Sequence, residues 1–293
     1  MTPRSWFLLF SLSAVWGLAF VLVGHAIETV PPMTVAATRV GIAAIGLLCV
    51  CAVIRPPMPE GWRGWGALAM MGLLNNAVPF YLINLGQVET GSGLASVLNG
   101  FTPIWALLLG WAVLRAESMG LPKIGGLVAA LGGLAILVGP SATEGLGGGI
   151  LGKVAVLGGA LSYAVASYWG RRLAGLSVIT AATGQLCFST LMLGGMSLVI
   201  DQPWTLTWSV DVVVSLVVLG LLCTGIAYMM YFALLRAAGP VNCMMVTYLV
   251  PPFAIVMAWV GLGEEPGWRL FVGCALILTG IALATLEKRR IEA

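Results

Sequence analysis

The chain carries ten runs of mainly apolar residues, at 5–24, 33–54, 65–84, 91–114, 122–139, 151–169, 178–200, 211–232, 240–262 and 268–286. Each is close to the roughly 20 residues that a helix needs to cross hydrocarbon. A peptide group in lipid has no water to bond with, so a spanning chain must satisfy its backbone internally, and runs of this length do so as helices. Charged residues are 9% of the 293, against about 25% in an average soluble domain, too few to cover a water-facing surface. The predicted fold class is an all-α integral membrane protein of ten transmembrane helices, with the lipid bilayer as its surroundings. The first run follows Arg4 much as a signal peptide would, but it exceeds the roughly 7–15 residues of a signal core and reads as the first span.

The connections are short and rich in turn formers: three prolines in Arg55 to Pro59, four glycines in Ser141 to Gly149. Lys and Arg in such loops favour the cytoplasmic side. With the N-terminus inside, Arg4, Arg55, Arg63, Arg115, Lys123, Arg171, Arg172, Arg236, Lys288, Arg289 and Arg290 all fall at cytoplasmic ends, Lys153 and Arg269 fall outside, and Arg39 lies within a span. The split predicts both termini in the cytoplasm and, for a bacterial chain, the inner membrane. A net charge of +3, scattered among loops, gives no patch for nucleic acid.

The two halves repeat. Shifting the fourth and fifth spans by 148 positions without a gap places Gly91 on Gly239, Pro103 on Pro251, Ala106 on Ala254, Trp111 on Trp259, Glu117 on Glu265 and Gly132 on Gly280. Five spans is an odd number, so the second copy enters the membrane from the opposite side. The expected organisation is a five-helix repeat over 1–140, an inverted five-helix repeat over 150–286 and a basic cytoplasmic tail over 287–293. Inverted repeats are a common plan of secondary transporters, with the site between the copies near the midplane.

These features resemble the EamA-type drug/metabolite transporter superfamily over essentially the whole chain. Trp16-Gly17 looks like its early Trp-Gly, Arg39 sits where its second span often has an arginine, and Gly91 to Glu117, with its second copy Gly239 to Glu265, is the most specific element. Arg115 before the glutamate and the doubled Pro251-Pro252 depart from the pattern. The resemblance implies a basket of ten helices around a central cavity that exports amino acids, other metabolites or drugs. The amino acid exporters, including an aromatic amino acid branch, are the most similar.

Polar groups inside a bilayer tend to face a wet cavity. Ser92, Ser96, Asn99 and Pro103 recur at helical spacing on one face, and the 148-residue shift sets Thr247 and Pro251 at the positions of Asn99 and Pro103. Each proline also frees a carbonyl one turn earlier, a potential ligand for an ammonium. In the third span Asn75 and Asn76 are adjacent and so point in different directions. The candidate substrate-binding residues are Asn99, Tyr248, Trp16, Asn76, Tyr163, Thr224, Tyr228, Gln185 and Thr247, each with helix packing as the competing role. Pro103, Pro251, Pro252, Glu117, Glu265 and Arg39 are candidate gating or structural residues. Arg39 is read either as snorkelling to the interface or as a fixed cation at the outer mouth.

No membrane-embedded Ser and His pair, paired aspartates or metal-ligand cluster is visible, which argues against an intramembrane enzyme, a metal and a cofactor. The six cysteines lie in apolar runs. The partner is then a small-molecule solute, and the chain is expected to act as a monomer. A channel-like facilitator is the alternative. All eleven acidic residues read as loop or helix-end positions, so the expected mode is uncoupled facilitated diffusion or exchange, with Glu117 and Glu265 as its weak point.

Overall fold

The structure, a computed structural model, describes residues 2–115, 119–143, 149–243 and 245–291, which form helices and their connections with no strand among them. Helix α1 spans Pro3–Ile27 and α2 Pro32–Ile54. Helix α3, Gly61–Gly72, passes through a π turn at Leu73–Ala77 into α4, Val78–Asn99. Helix α5, Thr102–Leu108, ends in a second π turn, Leu109–Val113, and α6 covers Leu121–Thr143. There follow α7, Ile150–Trp169, and α8, Val178–Ile200. Helix α9, Val210–Gly220, enters α10, Ala227–Cys243, through a π turn at Leu221–Ile226, and α11, Val246–Leu262, and α12, Trp268–Ile291, complete the chain.

Six helical stretches are long and apolar enough to cross a membrane: Pro3–Ile27, Pro32–Ile54, Gly61–Asn99, Ile150–Leu173, Val178–Ile200 and Val210–Tyr231. Four shorter apolar helices, Thr102–Val113, Leu121–Leu137, Val246–Leu262 and Trp268–Leu283, accompany them. The starts follow local chemistry. Thr2 accepts a hydrogen bond from the Ser5 amide ahead of Pro3 in the first turn, and Ser177 accepts one from the Thr180 amide at α8.

Three boundaries differ from the sequence reading. The third run continues as helix past its expected end at 84, and the break falls at Gly91, where the fourth run was expected to begin, with φ 71° and ψ 175°, a conformation open to glycine and costly for other residues. The fourth run is broken again at Gly100 and Phe101, because Pro103 cannot donate to the preceding turn and so starts a new helix. Helix α12 continues to Ile291, taking in most of the expected tail.

Helix α6 packs along α12, and α4 along α7, more extensively than any other pairs. Glycines permit the approach: a Cβ on Gly280 would meet the Gly126 carbonyl and the Ala130 backbone, and one on Gly86 would meet the Gly152 carbonyl and Val156. Small residues let backbones close to van der Waals contact where lipid supplies no hydrophobic drive between helices. Alanine is the better helix former by about 1 kcal/mol, yet Gly86→Ala and Gly280→Ala should each lower stability by about 1–3 kcal/mol through overpacking. Gly195→Ala, with open space around it, should not. Thermal unfolding of the purified variants checks this; equal melting temperatures for all three would contradict the packing.

Candidate functional site

At one end of the bundle four carboxylates hold hydrogen-bond partners, and three of these reach to the start of a helix in another element. Glu89 Oε2 accepts from the Gly152 amide at 2.8 Å in the first turn of α7. Asp201 Oδ2 accepts from the Thr34 amide at 3.0 Å and its hydroxyl at 2.7 Å at the start of α2. Glu264, in the α11–α12 connection, accepts from the amides of Ser92 at 2.6 Å and Gly93 at 2.9 Å, just past the break at Gly91. The fourth, Asp211 in the first turn of α9, pairs with His25 Nε2 at 3.1 Å. The first amides of a helix lack internal partners and carry the positive end of its dipole, so a carboxylate is their natural complement. A Cβ on Gly91 would crowd the Glu264 carboxylate.

Beneath Glu264 the same end is tied shut. Gln87 Nε2 donates to the Phe20 carbonyl and to Ser92 Oγ, and Ser92 Oγ donates to the Phe20 carbonyl. Helix α1, both parts of α4 and the α11–α12 connection thereby meet in one cluster. The opposite end carries Arg55, Arg63, Arg171 and Arg172, and there Thr180 Oγ1 donates to the Pro57 carbonyl and Trp169 Nε1 to that of Ala67.

Between the two lies a cavity of about 790 Å³ that reaches from Phe20 and Gln87 to the α7–α8 connection at Gly170, Leu173, Ala174 and Val178. Its lining stops at Val23, Asn84 and Gln87 short of the acidic end and takes in Leu173, Ala174 and Leu176 at the basic end. Of the residues singled out from sequence, Trp16, Arg39, Asn99, Tyr163, Gln185, Thr224, Tyr228, Thr247 and Pro251 line it. They come from both halves of the chain. Trp16 packs on Tyr231 with ring centres 5.8 Å apart, and Tyr163 meets Phe80 edge-on at 6.5 Å.

The π turns position the polar wall. Two of the three begin at Leu73 and Leu221, 148 positions apart, the same offset that relates the fourth span to the ninth. A π turn widens the helix by one residue and is frequent at functional sites. In the first, Asn75 and Asn76 both reach the same acceptor, donating to Gln185 Oε1 at 2.9 and 3.3 Å, although adjacent residues of a regular helix point apart. Tyr228 closes the cluster by donating to Asn76 Oδ1 at 2.8 Å. Asn75 thus stands on the cavity wall and Asn76 is fully buried behind it. In the π turn at Leu221–Ile226, Thr224 donates to the Leu219 carbonyl at 2.9 Å and accepts from Arg39 Nε at 2.8 Å.

Other candidates lie elsewhere. Tyr248 packs against the core formed with Phe101, Ile104 and Ile277, and Pro252 is exposed whereas Pro251 is buried. The Asn99 carbonyl released ahead of Pro103 accepts from Thr102 Oγ1 at 2.8 Å, so it already has a partner. Glu265 is exposed in a shallow crevice of about 340 Å³ beside Arg269, and its neighbour Glu264 makes the cap. Glu117 lies outside the described residues. Arg39 is buried on the cavity wall, which excludes snorkelling. Sequence reasoning overlooked Gln87 and Glu264. Gln87 falls three residues after Asn84 on the same helical face, a spacing that would have drawn attention to it.

Gln185→Leu should leave the Asn75 and Asn76 amides without their shared acceptor and cost about 1–3 kcal/mol, read as a lower melting temperature. Asn99 Oδ1 is buried without a partner, so Asn99→Ala breaks no hydrogen bond at that atom and should leave the melting temperature unchanged. A matching loss of fold in both variants would contradict this division.

A sequence profile of the EamA-like transporter family matches residues 4–139 and again 150–286. The chain is 25% identical over 281 residues to the uncharacterized transporter YoaV of Bacillus subtilis (strain 168), covering 96% of each. It is 26% identical over 284 residues to a protein of Streptantibioticus cattleyicolor named a probable terminal-alkyne amino-acid exporter, covering 94% of this chain and 92% of that one. A solved crystal structure, 18% identical, superposes with a TM-score of 0.69 over 99% of this chain and 100% of its own, a likeness of fold.

Proposed function

This chain belongs to the EamA-like transporter family, and on that premise we propose that it exports amino acids or similarly small metabolites by alternating access through the central cavity. It is a multi-pass membrane transporter and not an enzyme. The finer reading has ten spans in two inverted repeats, with both termini in the cytoplasm of a bacterial cell. Supporting the repeat are the two profile matches and the π turns at the 148-residue offset. Supporting the orientation is the gathering of Lys and Arg at one end.

The observation that carries the proposal is the shape of the cavity. It extends to the basic end, which this orientation sets in the cytoplasm, and stops at the Gln87, Ser92 and Glu264 cluster on the other side. Such a form loads solute from inside. A path closed at one end is that of a carrier more than of an open pore. Aromatic walls from Trp16, Phe80 and Tyr163 suit an apolar side chain. The relative from Streptantibioticus cattleyicolor, named for amino-acid export, points to the same solute class. No acidic side chain among the described residues lines the cavity, in keeping with uncoupled transport or exchange.

Proteoliposomes holding the purified protein test this with radiolabelled leucine and phenylalanine. Uptake should saturate, accelerate when unlabelled amino acid is present on the far side, and keep its rate under an imposed pH gradient at fixed potential. Absence of saturable flux for any amino acid would remove the substrate reading. Concentrative uptake driven by the pH gradient would remove the uncoupled one.

A further inference from the structure

Arg39 is 9% exposed and stands on the cavity wall. Its surroundings fix its orientation. Nε donates to Thr224 Oγ1 at 2.8 Å, and Thr224 spends its own proton on the Leu219 carbonyl, so its oxygen is available to accept. The Phe80 ring lies under the guanidinium, 4.0 Å from Cζ to the ring centre. The edge that remains bears the two Nη groups, which make no hydrogen bond to any described residue. The ion pair present among the described residues is His25–Asp211, at the bundle's end. A permanent cation is therefore held in the membrane with one edge anchored, one face covered and no counter-ion among the described residues.

Two further side chains on the cavity wall carry a polar atom without a partner. Asn99 Oδ1 and Gln87 Oε1 are buried without partners. Gln87 is not reversible, because its Nε2 donates to the Phe20 carbonyl, which can only accept. The free Gln87 atom is therefore an acceptor that calls for a donor, and the Asn99 amide, hydrogen-bonded at neither end, can turn its oxygen to a donor in the cavity. The wall thus holds a cation with two free N–H-bearing nitrogens and, in Gln87 and Asn99, two amides with an unused polar atom.

We propose that the Nη edge of Arg39 receives the carboxylate of the transported solute and that Asn99 Oδ1 and Gln87 Oε1 receive its ammonium group. The assignment rests on the amino-acid export reading and extends it to a zwitterion recognised at both poles. Guanidinium offers two parallel N–H donors matched to the two oxygens of a carboxylate. A phosphate fits less well: Arg39 is the sole charged residue among the described cavity wall, and the neighbouring acceptors would repel further anionic oxygens.

Binding to the purified full-length protein, measured by thermal shift and calorimetry, tests the proposal. The probes are phenylalanine, leucine and threonine, their amides, and 3-phenylpropionate. Wild type should bind at least one amino acid, with its amide at least tenfold weaker. Arg39→Gln should bring the acid down to the level of its amide. Arg39→Lys, which keeps the charge, should retain part of the preference even if the glutamine variant folds poorly. Binding of an amide as tightly as its acid, retained discrimination in Arg39→Gln, or no binding by any of the acids would overturn the Arg39 assignment. If 3-phenylpropionate binds as tightly as phenylalanine, the Asn99 and Gln87 half and the amino-acid reading fail while Arg39 stands. Equal transport of an amino acid and its amide would leave export intact and remove Arg39.

Discussion

The amide groups that open helices at the acidic end are the interaction on which the rest of this structure depends. In hydrocarbon or at its edge, such groups find little water, and each unsatisfied one is costly. Glu89, Asp201 and Glu264 meet those of α7, α2 and the second part of α4, and each comes from a different element. A carboxylate at a helix start contributes about 0.3–1 kcal/mol where exposed and up to about 2 kcal/mol where partly buried. The caps also bind neighbouring elements together, so the charge pattern that distinguishes the two ends also closes one of them.

Gly91 makes this closure separable. By interrupting α4 it creates a new helix start one residue on, and that start is held by a carboxylate from the α11–α12 connection. Release of Glu264 would free the start of the second part of α4 from the α11–α12 connection without unfolding either helix. Below it, the Phe20, Gln87 and Ser92 cluster is short and polar, so water entering from outside would compensate its lost hydrogen bonds. The π turns do the corresponding work on the wall, directing Asn75 and Thr224 toward the space that the closure protects.

Much of this was readable in the sequence where regular helix geometry held. The seventh run was placed at 178–200, and α8 spans Val178–Ile200, because Ser177 marks its start and Asp201 its end. Ser96 and Asn99 were assigned to one face by their spacing, and both line the cavity. Regular spacing failed at Asn75 and Asn76, since a π turn shifts the phase of the helix and carries no composition signal of its own. The repeat register drew attention to Glu265, whereas the cap is made by Glu264, a difference of one residue that only the path of the connection decides. The carbonyl released by Pro103 looked available, but the hydroxyl next to the proline takes it.

The central claim is that the path is open from the basic end and sealed at the acidic end. Asn99 tests it well, since it lies on the cavity wall only about two helical turns beyond the break at Gly91. In a cysteine-free background, Asn99→Cys should react with a small impermeant thiol reagent in vesicles that expose the basic end, and slowly in those that expose the acidic end. Adding Glu264→Gln should speed the slow reaction. Faster labelling from the acidic end in the parent protein, or no response to Glu264→Gln, would contradict the account.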